Sequence, residues 1–273
     1  MKKIILLIAA ACMACTAAFA QTVKPFKEGE RAVFLGNSIT DGGHYHSYIW
    51  LYYMTRFPDM PIRVFNGGIG GDTAYDMNKR LDGDIFAMKP SVLMVTFGMN
   101  DSGYFEYNGD KPKEFGEQKY QESVKNYQQM EKRFKDLPDT RIVMVGTSPY
   151  DETVQLKENT PFKTKNETIK RLVEYQKESA AKNNWEFTDL NAPMVALNQQ
   201  YQQKDPTFTL CGSDRIHPDN DGHMVMAYLF LKAQGFVGKE VADVEINANK
   251  KQAVKSENCT ISNIKEERKR LEL

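Results

Sequence analysis

Two side chains stand where their neighbours could turn them into a reacting pair: the serine of Gly36-Asn37-Ser38-Ile39-Thr40 and the histidine of Asp214-Arg215-Ile216-His217-Pro218. A serine hydroxyl is a weak nucleophile until a base takes its proton during attack. The chain has four histidines, His44, His46, His217 and His223, and His217 lies in a proline-ended loop with an acid three residues upstream. That spacing lets one short loop turn the Asp214 carboxylate toward Nδ1 of the imidazole, leaving Nε2 to face a hydroxyl. Pro218 keeps the backbone at His217 extended or turned, and Asp219-Asn220-Asp221 offers caps for a following helix. Read alone, the same loop also describes a helix cap beside a surface histidine.

Acyl transfer further needs donors aimed at the oxyanion that develops in the transition state. Gly70-Gly71-Asp72-Thr73 is one source, since glycine lets a backbone N–H approach a ligand closely. Gly98-Met99-Asn100-Asp101 is another, through the Asn100 side-chain amide. Gly67, Gly68, Gly70 and Gly71 could equally make only a tight turn. They do not form a phosphate-binding loop, because the G-x-x-x-x-G-K-[ST] spacing and its lysine are missing.

These residues must be carried by elements that bring them together. Apolar runs at 32–35, 63–65, 92–97 and 142–145 each lead into Gly or Asn-Gly, and a fifth strand is expected over 185–187. Continuous rather than alternating runs suit strands buried on both faces of a parallel sheet. Helical stretches are expected at about 46–57, 73–82, 117–136, 163–183 and 220–234. Strand–helix alternation of this kind predicts βαβ units in a three-layer α/β/α sandwich. In such sheets ligands bind beyond the carboxyl ends of the strands, which directs attention to residues 36–44, 66–73, 98–110 and 146–151. Residues 21–238 form the main domain on this reading. Residues 239–273 form an appendage, with exposed strands expected at 241–246 and 259–262 and a charged end that could equally be a frayed tail.

Lys2 and Lys3, an apolar run from Ile4 to Cys15, and Ala18-Phe19-Ala20 together read as a signal peptide over residues 1–20, cut before Gln21. The run is shorter than the roughly 20 residues that span a bilayer. A secreted or periplasmic location follows, with no stable membrane insertion; lipidation at Cys12 or Cys15 is disfavoured because neither has Leu three residues before it. Past residue 20 only Cys211 and Cys259 remain, too few for a disulfide framework, and their pairing is left open. Lys+Arg and Asp+Glu are balanced at 36 each, so no basic excess exists to bind a nucleic acid.

Taken in order along the chain, these blocks resemble those of the SGNH, or GDSL-type, hydrolases. Gly36 to Thr40 resembles the first block, Asn66 to Thr73 the second, Gly98-Met99-Asn100-Asp101 the third, and Asp214 to Pro218 the last, over about residues 30–236. The resemblance implies a flavodoxin-like parallel sheet of about five strands and an acyl-serine mechanism without a cofactor. It implies Ser38 as nucleophile, His217 as base and then acid, and Asp214 as the orienting carboxylate. The oxyanion hole would be the backbone N–H groups of Ser38 and Gly71 with the Asn100 side chain. Asn37 departs from the family's usual aspartate, which puts hydrogen bonding inside that loop in question.

Family members are esterases, thioesterases, lipases and carbohydrate deacetylases, so the partner implied is a small-molecule or glycan ester. The expectation is an acetyl or similar acyl group on a carbohydrate. The alternatives are a short-chain acyl or lysophospholipid ester, or an inactive glycan-binding member of the fold. His44, Tyr45, His46 and Tyr104 are the candidate pocket residues, although large aromatics more often pack in cores. His44-x-His46 shows no third ligand, and no metal is expected.

Overall fold

The apolar runs become β1 (Arg31–Gly36), β2 (Arg63–Gly68), β3 (Val92–Val95), β4 (Arg141–Gly146) and β5 (Glu186–Asp189) of the computed structural model, which describes residues 22–267 and 270–272. The segment read as a signal peptide lies outside the described residues. All neighbouring strands of this sheet run parallel, in the order β2-β1-β3-β4-β5. That is the flavodoxin-like order, and its reversal falls between β1 and β3. The chain leaves β1 for β2 on one side, then returns to place β3 on the other. Ligands of such sheets bind where the loops after the two diverging strands part, and those loops carry Ser38 and Asn100.

Alternation along each strand sends its side chains to two helical layers. Val33, Leu35, Leu93, Val95 and Met144 meet Ala74 and Met77 of α3 (Ala74–Arg80), Tyr127, Met130 and Phe134 of α4 (Pro112–Lys135) and Ala180 of α5 (Lys165–Asn183) in one fully buried cluster. On the opposite face Phe34 packs against Tyr45 of α2 (His44–Arg56) and Phe230 of α7 (Asn220–Ala233). The short helix α1 (Ser38–Asp41) turns the chain over the end of β1, and α6 (Asn191–Gln202) follows β5.

Several expectations are corrected. Strand β2 is not buried on both faces; it lies at the sheet edge, and Arg63 and Asn66 are exposed. Helix α3 stops at Arg80 and passes into a π-turn over Leu81–Ile85, ending short of the expected boundary. Helix α6 carried no expectation because its sequence is rich in Asn and Gln and contains Pro193, which is tolerated only in a first turn.

A second unit comprises Phe236–Leu273. Within it β6 (Asp243–Asn247) and β7 (Gln252–Glu257) form an antiparallel hairpin with a bulge, and β8 (Lys265–Glu267) pairs with β9 (Arg270–Glu272). The strand expected at 259–262 does not form; the polar, alternating stretch Gln252–Glu257 takes the pairing instead, after an Asn-rich turn. Among the described residues Cys211 and Cys259 are free thiols: Cys211 is buried and its Sγ donates to the Pro149 carbonyl, and Cys259 is partly exposed. Among the described residues no helix is long and apolar enough to cross a membrane.

Candidate active site

Ser38 is the first residue of α1, and Asn37 is the reason that helix starts where it does. The Asn37 side chain is buried, and its Oδ1 accepts the Ile39 N–H at 3.1 Å. Asparagine thereby supplies the N-cap acceptor that a short polar side chain offers at this position, which answers the question its presence raised. The nucleophile turn is then pressed onto the end of β2 at Gly68, where an added Cβ would sit 2.2 Å from the Asp41 backbone N.

The acid–base loop comes from far along the chain yet organises itself locally. Asp214 Oδ1 accepts the backbone N–H groups of Ile216 and His217, each at 2.9 Å, while Oδ2 lies 2.5 Å from His217 Nδ1. On the other side of the ring, His217 Nε2 is 2.8 Å from Ser38 Oγ. Burial alone would raise the Asp214 carboxyl, but hydrogen bonds from the His217 ring and from two backbone amides outweigh it and hold it below its ordinary value. The hydrogen bond to Asp214 raises the His217 imidazole above its ordinary value, against a smaller opposing effect of burial. Between them Arg215 adopts φ 68°, in the left-handed region, and sends a fully buried guanidinium to the carbonyls of Asp151, Val154 and Asn159. That anchor ties the loop to the segment after β4, and the sequence does not mark it because arginine is ordinarily a surface residue.

The donor side is assembled from the second and third strand ends. Gly71 has φ 84°, in the left-handed region that favours glycine, with open space where a Cβ would project. Asn100 Nδ2 donates to the Asp72 carbonyl at 2.9 Å, and its Oδ1 accepts the Tyr104 hydroxyl at 2.5 Å. Because a carbonyl can only accept, this pair of bonds fixes the amide orientation and leaves one Nδ2 hydrogen unused. Asp101 clamps the loop: its carboxylate accepts the N–H groups of Gly98 and Ala74 and the Ser123 hydroxyl. Arg80, also unforeseen, stitches the blocks together by donating to Asp72 Oδ2 at 2.6 Å and to the carbonyls of Gly36 and Gly67.

The candidate pocket residues separate. His44 lines a cleft of about 510 Å³ with Ser38, Ile39, Gly42, His217 and Pro218, and its ring stacks on His223 at 5.0 Å. Tyr104 stands beside Asn100. Tyr45 and His46 are not pocket residues: both are buried on the core side of α2, where the Tyr45 hydroxyl meets Thr40 Oγ1 and His46 Nε2 meets the Thr40 carbonyl. The helical period explains the split, since positions adjacent or two apart do not share a face. For the same reason His44 and His46 do not converge on one point.

A hydroxyl, an imidazole and a carboxylate in one chain of contacts, at the switch point of a flavodoxin-like sheet, form the arrangement that serine hydrolases use. Residues 34–225 match the GDSL-like lipase/acylhydrolase family; the chain belongs to that family and is a serine hydrolase acting on ester bonds. It is 27% identical to an acetylxylan esterase of Geobacillus stearothermophilus over 76% of this chain and 95% of that one. The crystal structure of that esterase superposes with a TM-score of 0.61 at 25% identity, covering 77% of this chain and 96% of the other. The chain is also 84% identical, with a TM-score of 0.86 over 90% of its length, to the solved structure of a gut microbial diltiazem-metabolizing enzyme, of which it spans 55%.

Proposed function

We propose that the protein removes acetyl groups from a carbohydrate through an acyl-serine intermediate, with Ser38, His217 and Asp214 as its triad. The observation that carries the reading is the continuous chain of contacts from Ser38 Oγ through His217 to Asp214, at 2.8 and 2.5 Å. Ser38 Oγ attacks the ester carbonyl as His217 Nε2 takes its proton, and Asp214 holds the tautomer and stabilises the imidazolium. The tetrahedral oxyanion is received by the N–H groups of Ser38 and Gly71 and by the free Nδ2 hydrogen of Asn100. The intermediate collapses with transfer of the proton from His217 to the departing alcohol, which leaves an acetyl-serine. Water, deprotonated by the same imidazole, then releases acetate and restores the hydroxyl. No step calls for a cofactor.

The acetylxylan esterase relative supports an acetyl ester on a sugar, as does an open cleft with polar walls at the nucleophile. The leader-like residues 1–20 support export, and we place the enzyme in the periplasm or outside the cell. A second reading comes from the 84% identity with a diltiazem-metabolizing enzyme: the ester substrate would then be a small molecule other than a sugar. Acetate release from acetylated xylooligosaccharides, measured beside p-nitrophenyl esters of rising acyl length, tests the proposal. Acetyl esters should be the best substrates, with rates falling as the acyl chain grows. A preference for long acyl chains would replace it with lysophospholipid or lipid hydrolysis, and no turnover of any ester would leave a glycan-binding role.

A further inference from the structure

Lys165 is among the largest fully buried side chains of the molecule, and the triad does not use it. It opens α5, more than sixty residues from the third block, and its hydrogen bonds go to that block and the residues just after it. Nζ donates to the Met99 carbonyl at 2.7 Å, to Ser102 Oγ at 2.6 Å and to the Gly103 carbonyl at 2.5 Å. The same nitrogen lies 3.9 Å from the centroid of the Tyr104 ring. Among the described residues no carboxylate forms an ion pair with it, and a buried ammonium without a paired carboxylate is costly enough to require a reason. Burial pushes it down to about 7, opposed by the more distant charges of Asp101 and Glu152.

We propose that Lys165 and Tyr104 are positioning residues that set the Asn100 amide as an oxyanion donor. The lysine fixes the backbone on both sides of Asn100 through Met99 and Gly103, and its charge sits on the face of the tyrosine ring. The tyrosine hydroxyl in turn grips Asn100 Oδ1 from the side opposite the Asp72 carbonyl. Burial raises the phenol well above its ordinary value, so it remains a donor throughout the working range. The amide therefore has its oxygen and one hydrogen engaged, and one hydrogen is left to donate. This places the orientation cost of the donor in the folded structure, before substrate arrives. Neither residue touches the reacting atoms.

The inference rests on the oxyanion role of Asn100 proposed above, and a double-mutant cycle on p-nitrophenyl acetate hydrolysis separates the two. Tyr104→Phe removes one hydroxyl from a half-buried ring. It should lower kcat by about 10- to 100-fold, in line with the loss expected when a reacting group is slightly misplaced, with KM changed less than about 2-fold. In an Asn100→Ala background the same substitution should cost less than about 2-fold, because the group it positions is gone. Lys165→Met should behave alike, lowering kcat in the parent and not in the Asn100→Ala background; if that variant fails to fold, the tyrosine cycle alone decides. An unchanged kcat in Tyr104→Phe, losses that multiply with Asn100→Ala, or an effect confined to KM would each overturn the positioning role. Wild-type activity in Asn100→Ala would instead remove the oxyanion role, and this inference with it.

Discussion

The two sides of the nucleophile are built on opposite principles. On one side, His217 and Asp214 keep 49% and 48% of their side-chain surfaces exposed, and most of the bonds that align them lie within four consecutive residues. On the other, the Gly98–Gly103 loop is supported from beneath, with Asn100 itself partly exposed. Asp101 and Ser102 are buried within it, and its supports arrive from α3, α4 and α5. On the proposed mechanism His217 gains and loses a proton in every cycle, and water lowers the cost of that change of charge. On that mechanism the donors must not move as the oxyanion forms, and the buried groups beneath Asn100 hold its loop in place. The proton-carrying pair is aligned locally and the Asn100 loop by distant elements.

Substitutions can break this contrast at graded strength. Ser38→Ala should lower kcat by about 10⁶-fold, the largest effect, as loss of a serine nucleophile does elsewhere; retention of more than a percent of activity would remove Ser38 from its role. Asp214→Asn should cost about 10⁴-fold by holding the wrong imidazole tautomer, with folding intact because the loop is exposed, as circular dichroism would check. Asn100→Ala should cost roughly 10²–10³-fold, or about 3–4 kcal/mol, in kcat.

Smaller effects appear in pH dependence. His223 is buried with Nδ1 unpartnered, and desolvation, helped by the charges of neighbouring histidines, lowers it to about 4. A histidine depressed in the folded state resists a proton that the unfolded chain accepts, so stability falls as the solution is acidified from its ordinary pKa near 6.5 to about 4. Urea midpoints across that window should show a loss of up to about 3 kcal/mol, absent in His223→Phe. His217 has the opposite sign. Its imidazole is raised by Asp214, so the stabilising contact of its charged form is present below the ordinary value and fades as pH rises through the raised one. The rate needs the neutral base and should climb over that same interval, with a midpoint above about 6.5 that drops when Asp214 is replaced by Asn. A flat profile between pH 5 and 8 would exclude His217 as the base.

What could be read from the chain follows this division as well. The layers of the sandwich were legible because β1, β3 and β4 are continuous apolar runs, which a doubly covered sheet demands. The acid–base loop was legible because its parts are adjacent in sequence. Tyr45 and His46 were misread because α2 sends neighbouring residues to different faces, and only the placement of the helix decides which face meets the cleft. Lys165, Arg80 and Arg215 left no mark, since lysines and arginines are ordinarily surface residues and their roles arise from contacts with distant loops. Helix α6 and β7 were hidden by polar composition, where tertiary packing rather than periodicity decides the conformation.

The identity of the nucleophile is tested most directly by stoichiometric labelling with an organophosphonate ester, followed by peptide mass spectrometry and residual esterase activity. The account predicts one adduct per chain, on Ser38, appearing in step with the loss of activity and blocked by Ser38→Ala. Complete inactivation with the adduct on another side chain, or full activity with Ser38 labelled, would contradict it.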